Sequence, residues 1–148
     1  EVHVVAKMKE TKAVIGGEGN GGVIVPDLHY GRDALAGIAL FLTHLANFGK
    51  SASMLRATYP NYYISKNKIE LTPDINVDGV LEAIKEKYKG QPINVVDGVK
   101  IEFDKEWVQL RKSNTEPIIR IFAESESQNT AEHLAKKLIM DIKEVISG

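Results

Sequence analysis

The sequence has no cysteine and no initiator methionine, and its 19 basic residues stand against 20 acidic ones for a formal net charge of −1. Without cysteine there are no disulfides, no thiolate metal ligands and no cysteine nucleophile, which fits a reducing, cytoplasmic setting. No apolar run approaches the roughly 18 residues that a bilayer-spanning helix requires. The first residues, Glu1 to Met8, lack the basic segment, apolar core and cleavage pattern of a signal peptide. Because the charges balance, no global basic field draws the chain to nucleic acid, so any anion site must be local. Aromatic residues make up 7%, with one tryptophan. The start at Glu1 leads us to expect a piece of a longer protein. Its 148 residues, 43% hydrophobic, suit one medium domain or parts of two smaller ones.

Against this ordinary background one stretch is chemically dense. Arg111-Lys112-Ser113-Asn114-Thr115-Glu116-Pro117 leads into Ile118-Ile119-Arg120. Trp107 to Leu110 alternates before it and strand formers follow from Ile118 to Ala123, so it reads as a polar loop between two strands. Arginine offers a planar fork that matches phosphate oxygens, and small polar side chains let backbone N–H groups approach an anion. A dianionic phosphate would suit such a loop. The residues alone equally allow an asparagine-containing turn with solvated charges.

A second unusual stretch is Gly16-Gly17-Glu18-Gly19-Asn20-Gly21-Gly22, between the apolar runs Ala13-Val14-Ile15 and Val23-Ile24-Val25. The first run is expected to be a buried strand that delivers the loop. The spacing of Gly17, Gly19 and Gly22 imitates a dinucleotide fingerprint, which requires a helix to open at the last glycine. A β-branched stretch closed by Pro26 follows instead, and the Lys-Ser/Thr pair of a nucleotide phosphate loop is also missing. A carboxylate at the loop's centre disfavours phosphate and favours hydroxyls. Glu18 as acceptor, with Asn20 as donor and acceptor, suits a sugar diol, although a plain strand-to-strand turn explains the same residues. His29 and Arg32, between this loop and the next helix, are candidate ligand contacts.

The remaining elements follow from periodicity and caps. Residues 2–10 have loosely helical spacing. Asp33 is an N-cap for a helix from Ala34 to Phe48, apolar almost all round and therefore expected to be deeply buried. Gly49 ends it, and Ser51 caps a short helix through Arg56. Residues 58–68 read as a linker turning extended, which puts a boundary near residue 60. Beyond it come an amphipathic helix (Asn76–Lys89), a hairpin of Ile93–Val96 and Val99–Phe103 turning at Asp97-Gly98, and strands at Trp107–Arg111 and Ile118–Glu124. A last helix, Gln128–Ile146, carries Ala131, Leu134, Ala135, Leu138, Ile142 and Val145 as its stripe. Trp107 is expected to be a core anchor, and Glu124 a solvated charge. The second part is thus an α+β layer, three or four antiparallel strands with helices on one face. No Ser/His/Asp triad, general base or metal-ligand spacing emerges, and no internal repeat is present.

Taken together, the two loops resemble a family. Gly17-Glu18-Gly19-Asn20-Gly21 is similar to the sugar-binding loop of the phosphohexomutases, which include phosphoglucomutase, phosphomannomutase and phosphoglucosamine mutase. Arg111-Lys112-Ser113-Asn114-Thr115-Glu116-Pro117, with Arg120, resembles the phosphate-binding loop of their last domain, and Asp97-Gly98-Val99 leading to Trp107 fits the same pattern. The resemblance spans the chain. It implies an α/β remnant of the third domain over residues 1–60 and the α+β C-terminal domain over residues 61–148. In some relatives a histidine follows the sugar loop, where this chain has Gly22.

The resemblance further implies the substrate-recognition part of an isomerase that interconverts hexose 1-phosphate and hexose 6-phosphate. A phosphoserine and a bisphosphorylated hexose intermediate would carry the phosphoryl group. Glu18, Gly19, Asn20 and Gly21 would bind sugar hydroxyls, and Arg111, Ser113, Asn114, Thr115 and Arg120 the phosphate not being transferred. The phosphoserine and the Mg²⁺ loop would precede this segment, so it would contain no catalytic residue and no metal ligand and be inactive alone. Hexose 1,6-bisphosphate would serve as activating intermediate. The expected partners are a phosphorylated hexose and the preceding domains, with neither nucleic acid nor membrane. The alternative is a stand-alone sugar-phosphate or anion-binding module without catalysis.

Overall fold

The computed structural model describes residues 1–72, 74–113 and 115–147. The chain divides into two compact units, Glu1–Pro60 and Asn61–Gly148.

In the first unit, α1 (Val2–Thr11) ends where Lys12 takes a left-handed conformation, φ 55°. The expected strand at 13–15 does not form. Val14 and Ile15 are 79% and 54% exposed, and the chain pairs only at β1 (Gly16–Gly17) and β2 (Val23–Ile24), through Gly16↔Ile24 and Gly17↔Val23. A three-residue apolar run gains little as a strand when its one backbone bond among the described residues, Ala13 N–H to the Met8 carbonyl at 3.0 Å, closes α1 and strand pairing begins only at Gly16. Asp33 caps α2 (Ala34–Phe48) as expected, its Oδ1 accepting from the Ala36 N–H at 2.9 Å. Gly49, φ 68°, closes the helix with its N–H on Leu45 and Ala46 carbonyls. Ser51 caps α3 (Ala52–Arg56) by accepting from Met54 N–H.

The expectation that α2 is deeply buried fails. Leu35 is 78% exposed, and Ile38, Leu40, Phe41 and Leu42 are between 45% and 55% exposed. Where the helix does pack, Gly37 lies against Val23, whose Cγ2 would sit 3.2 Å from an added Cβ. Two strands of two residues each offer too little surface to cover a helix that is apolar all round.

The second unit is built on β3 (Tyr63–Glu70), α4 (Val77–Lys87), β4 (Ile93–Asn94), β5 (Val99–Glu102), β6 (Trp107–Lys112), β7 (Ile118–Ser125) and α5 (Gln128–Ser147). Among the described residues these strands form one antiparallel sheet of five, ordered β3-β7-β6-β5-β4. Residues 63–68, read as linker, belong to β3, which pairs with β7 along all eight positions from Tyr63↔Ser125 to Glu70↔Ile118. The strand was disguised because its inward positions start polar. Ser65 and Asn67 face the helices and bond each other, Asn67 Nδ2 donating to Ser65 Oγ at 2.9 Å, and only Ile69 joins the core.

The two helices cover one face of the sheet. Val80, Leu81 and Ile84 of α4 and Leu134, Ala135, Leu138 and Ile142 of α5 pack with Ile101, Val108, Leu110, Ile119, Ile121 and Ala123. Ile84, Leu138 and Ile142 are fully buried. Tyr88 ties the helices, its hydroxyl donating to Asp141 Oδ2 at 2.5 Å, while Lys87 Nζ reaches Asp141 and Glu144 at 2.8 and 2.9 Å. The opposite face carries the alternate residues. Trp107 lies there, half-buried, instead of in the core, and its Nε1 donates to Glu124 Oε1 at 2.9 Å across the β6–β7 ladder. Glu124 is therefore a partner of the tryptophan, not a free solvated charge. The β4–β5 hairpin is also looser than a turn at Asp97-Gly98 would make it. Its ladder stops at Asn94↔Lys100, leaving 95–98 as a four-residue loop.

Candidate functional site

The β6–β7 connection emerges from a strand pair with an unfavourable feature. Arg111 and Arg120 face each other directly across the ladder, on the side of the sheet away from the helices. Like charges directly opposite in an antiparallel pair repel, so the arrangement is costly unless an anion lies between them. Lys68 of β3 continues the row as the cross-strand partner of Arg120. Its amine is held above the usual lysine range by Glu70, and the pair is 2.9 Å apart.

Beyond the arginines the chain loops out and returns, with Ser113 N–H on the Ile118 carbonyl at 3.0 Å and Ile118 N–H on the Glu116 carbonyl at 2.8 Å. Leu71 N–H bonds the Pro117 carbonyl at 2.8 Å and moors the loop beside β3. Thr115 N–H donates to Ser113 Oγ, and the two hydroxyls lie 3.4 Å apart. Arg111, Lys112, Ser113, Thr115 and Arg120 together line a cavity of about 160 Å³. Asn114, expected in the same set, lies outside the described residues. Each cation has a carboxylate at its flank. Asp97 Oδ1 is 3.1 Å from Arg111 Nε, Asp78 Oδ2 is 2.8 Å from Lys112 Nζ, and Glu116 Oε2 is 3.9 Å from Arg120 Nη2. All three cations remain about half exposed, at 47–50%. Two guanidiniums and two hydroxyls around one small hollow can chelate a dianion. Lys112 follows strand alternation to the helix face, where its Nζ meets Asp78 of α4.

Larger hollows, about 450 and 410 Å³, lie at the other end of the sheet around Phe103 to Trp107. Their walls carry Asp104, Glu106 and Glu126. Excess carboxylate makes them poor anion sites, so size is not the guide here.

In the first unit the glycine loop is a tight reversal. Glu18 N–H bonds the Gly22 carbonyl and Gly21 N–H the Glu18 carbonyl, both at 3.1 Å, with Gly21 at φ 86°. Asn20 knits the turn, with Oδ1 accepting from Gly22 N–H at 2.8 Å and Nδ2 donating to Glu18 Oε2 at 3.3 Å. The hydrogen bond from Asn20 holds the Glu18 carboxyl below the usual range, so it is an ionised acceptor at neutral pH. Gly19 is open to solvent, with nothing near an added Cβ. Arg32 lies over Gly22, where a Cβ would come 2.6 Å from Arg32 Cδ, and its Nε meets Glu1 Oε2 at 2.7 Å. Asn20, Gly21, Gly22, Arg32 and Asp33 line an open groove of about 490 Å³. His29 is not among the lining residues. Its Nδ1 accepts from Gly31 N–H, which leaves the neutral ring's proton on Nε2 to donate to Asp33 Oδ2 at 3.2 Å. The ring thus braces the helix cap.

The two units are thus an α/β unit that carries a glycine turn and an α+β unit that carries a polar hairpin loop. Comparison with known proteins gives the family. Residues 1–62 match the phosphoglucomutase/phosphomannomutase alpha/beta/alpha domain III, and residues 68–140 match the C-terminal domain of the same family. The chain belongs to the phosphoglucomutase/phosphomannomutase family, as an α/β remnant of domain III followed by the α+β C-terminal domain. It is 37% identical to a phosphoglucosamine/phosphogalactosamine mutase of Sulfurisphaera tokodaii, over 99% of this chain and 32% of that protein. It is 39% identical to a phosphoglucomutase/phosphomannomutase of Thermococcus kodakarensis, over 98% of this chain and 32% of that protein. A crystal structure of a phosphoglucomutase/phosphomannomutase family protein from Burkholderia thailandensis aligns over 98% of this chain and 31% of its own, with TM-score 0.74 and 25% identity. The chain thus spans about a third of the length of the curated relatives it matches. Among the described residues no helix is long and apolar enough to cross a membrane.

Proposed function

We propose that this chain is the substrate-recognition part of a phosphohexomutase, which as a whole interconverts hexose 1-phosphate and hexose 6-phosphate. The observation that carries the reading is the register pair Arg111↔Arg120 at the mouth of the 160 Å³ cavity. Two cations kept face to face are a poor choice for stability and a good one for gripping a phosphate. In this reading Arg111, Ser113, Thr115 and Arg120, with Asn114 from the sequence, hold the phosphate that is not being transferred. Charge-assisted hydrogen bonds of this kind are worth about 1.5–3 kcal/mol each. Fixing the spectator phosphate orients the hexose for transfer at its far end. Glu18 and Asn20 grip sugar hydroxyls from the turn that Gly19 and Gly21 open to the ligand, with Arg32 beside them. His29 acts only by steadying the α2 cap.

Residues 1–60 are then the sugar-binding remnant and 61–148 the phosphate-binding domain. The phosphoryl donor belongs to the preceding domains of the same protein. A Mg²⁺ ion supplies charge neutralisation at the transferring phosphate in such chemistry. The described residues do not fit one, since no three His, Asp or Glu side chains converge, and no step is assigned to a metal here.

Isotope-labelled chain titrated with inorganic phosphate, glucose 6-phosphate and glucose, followed by backbone amides, tests the reading. Amides at 111–113 and 115–116 should move with both phosphates and not with glucose, and those at 17–22 with the sugar phosphate. Amides at 111–116 that stay fixed in all three titrations would refute the phosphate site. A response at 111–116 alone, without 17–22, would favour an anion-binding module.

A further inference from the structure

The loop 95–98 does not turn the hairpin tightly, yet it is held in place by three separate contacts against the end of β6. Gly98 takes φ 77°, and a Cβ there would lie 2.1 Å from the Leu110 carbonyl oxygen and 3.2 Å from Arg111 Cα. Backbone therefore lies on backbone, a closeness only glycine permits. The carbonyl oxygen of the preceding residue, Asp97, accepts from Gln109 Nε2 at 2.8 Å. The Asp97 carboxylate, so anchored, reaches Arg111 Nε at 3.1 Å.

We infer that Asp97 is a positioning residue for Arg111, and that the 95–98 loop is a strut that presents this guanidinium to the phosphate. The inference rests on the reading of the 111–120 loop as a phosphate site. The contact falls on Nε, which leaves the four N–H donors of the two Nη groups for oxygen atoms of a ligand. Both partners are substantially exposed, at 50% and 39%, and exposed ion pairs contribute little to folding. What the pair supplies is order. An arginine already held by one edge loses less freedom when it binds than a free one does. Arg120, which faces Arg111, has the looser 3.9 Å contact with Glu116 among the described residues, so Arg111 is the more closely held of the two.

Electrostatics and positioning predict opposite signs for one substitution. Asp97→Asn removes a negative charge near the anion site, so simple Coulomb attraction would tighten phosphate binding. If Asp97 is a strut, binding weakens despite the added charge, by about fivefold to tenfold on the ordering cost of one long side chain. The substitution leaves the Gln109 bond to the Asp97 backbone oxygen and the Gly98 contact untouched, so the fold has no reason to fail. Asp97→Glu restores the charge on a longer arm and serves as the conservative variant.

The experiment measures two quantities on the wild-type chain and both variants. The first is the heteronuclear NOE of the Arg111 Nε–Hε group without ligand, and the second is the dissociation constant for inorganic phosphate. The inference expects a clear fall of the NOE in Asp97→Asn, the weakening given above, and partial recovery of both in Asp97→Glu. An unchanged NOE, or phosphate binding that is equal or tighter in Asp97→Asn, overturns it. If wild-type chain binds no phosphate, the phosphate reading fails and takes the functional claim for Asp97 with it. A falling NOE would then mark a purely structural contact.

Discussion

Arg120→Gln separates a residue kept for its ligand from one kept for the fold. In the free protein Arg120 faces Arg111 across the ladder, with the Glu116 carboxylate 3.9 Å away. Relief of the like-charge pair is worth about 0.2–1 kcal/mol, and the distant Glu116 contact offsets only part of it. Unliganded Arg120→Gln should therefore be as stable as wild type or slightly more so. With phosphate at about ten times the wild-type dissociation constant, linkage adds about 1.4 kcal/mol to wild type. Removing one charge-assisted contact of about 1.5–3 kcal/mol weakens binding at least tenfold. At the same phosphate concentration the variant then gains about 0.4 kcal/mol or less. For a unit of this size, about 4–8 °C of melting temperature corresponds to each kcal/mol. Trp107, the single tryptophan, sits in β6 bonded to Glu124, so its fluorescence follows this unit alone. Thermal melts with and without phosphate, at matched ionic strength, give both numbers. A variant that melts well below wild type without phosphate, or that keeps the full phosphate-induced shift, would refute the reasoning.

Two further predictions concern the frame around the loop. Gly98→Ala forces a Cβ to within 2.1 Å of the Leu110 carbonyl oxygen at φ 77°. The left-handed backbone alone costs about 1–3 kcal/mol and the overlap adds to it, so urea unfolding should show a clear loss and the 111–116 amides should shift in the free protein. Asp141 gives a pH dependence. Burial pushes its carboxyl up, but Lys87 and the Tyr88 hydroxyl outweigh that and hold it below 3.8. The folded chain then binds fewer protons than the unfolded chain just below 3.8, so this stabilisation is full above that pH and is lost as pH falls through the depressed value. Urea midpoints on either side of that pH should fall more steeply on acidification for wild type than for Asp141→Asn, and parallel profiles would refute the assignment.

The parts of the fold that could be read from the sequence are those where local chemistry decides. Asp33, Gly49, Ser51 and Asn76 cap helices as their residue types demand, because a cap is satisfied within one turn of chain. The α5 stripe was legible for a similar reason, since one face meets one sheet. β3 was not, because a strand whose inward positions begin Ser65 and Asn67 shows no apolar alternation and is recruited by β7 from across the unit. The candidate site divides the same way. Arg111, Ser113 and Thr115 are close in sequence and were legible. The Asp97 contact to Arg111 was not, because it depends on a loop packed against a strand 14 positions away.

α2 marks the limit of such reading in a different way. Composition correctly reports that the helix is apolar on every side, yet burial is a property of what surrounds a helix. In the first unit the described neighbours of α2 are chiefly β2 and α3, and Leu35, Ile38, Phe41 and Leu42 remain in water. A helix that is apolar all round is stable in water only when other elements enclose it. The chain spans about a third of the length of its curated relatives, and the function proposed above assigns the cover of α2 to the preceding domains. The second unit shows the contrast. Its helices are amphipathic, its seventeen-residue core closes within 61–148, and its sheet face that lacks helices carries Lys66, Lys68, Arg111 and Arg120 in place of leucines. A sequence that places cations on one open surface and leucines on another has assigned the two different partners. Under the function proposed above, the first is an anion and the second is more protein.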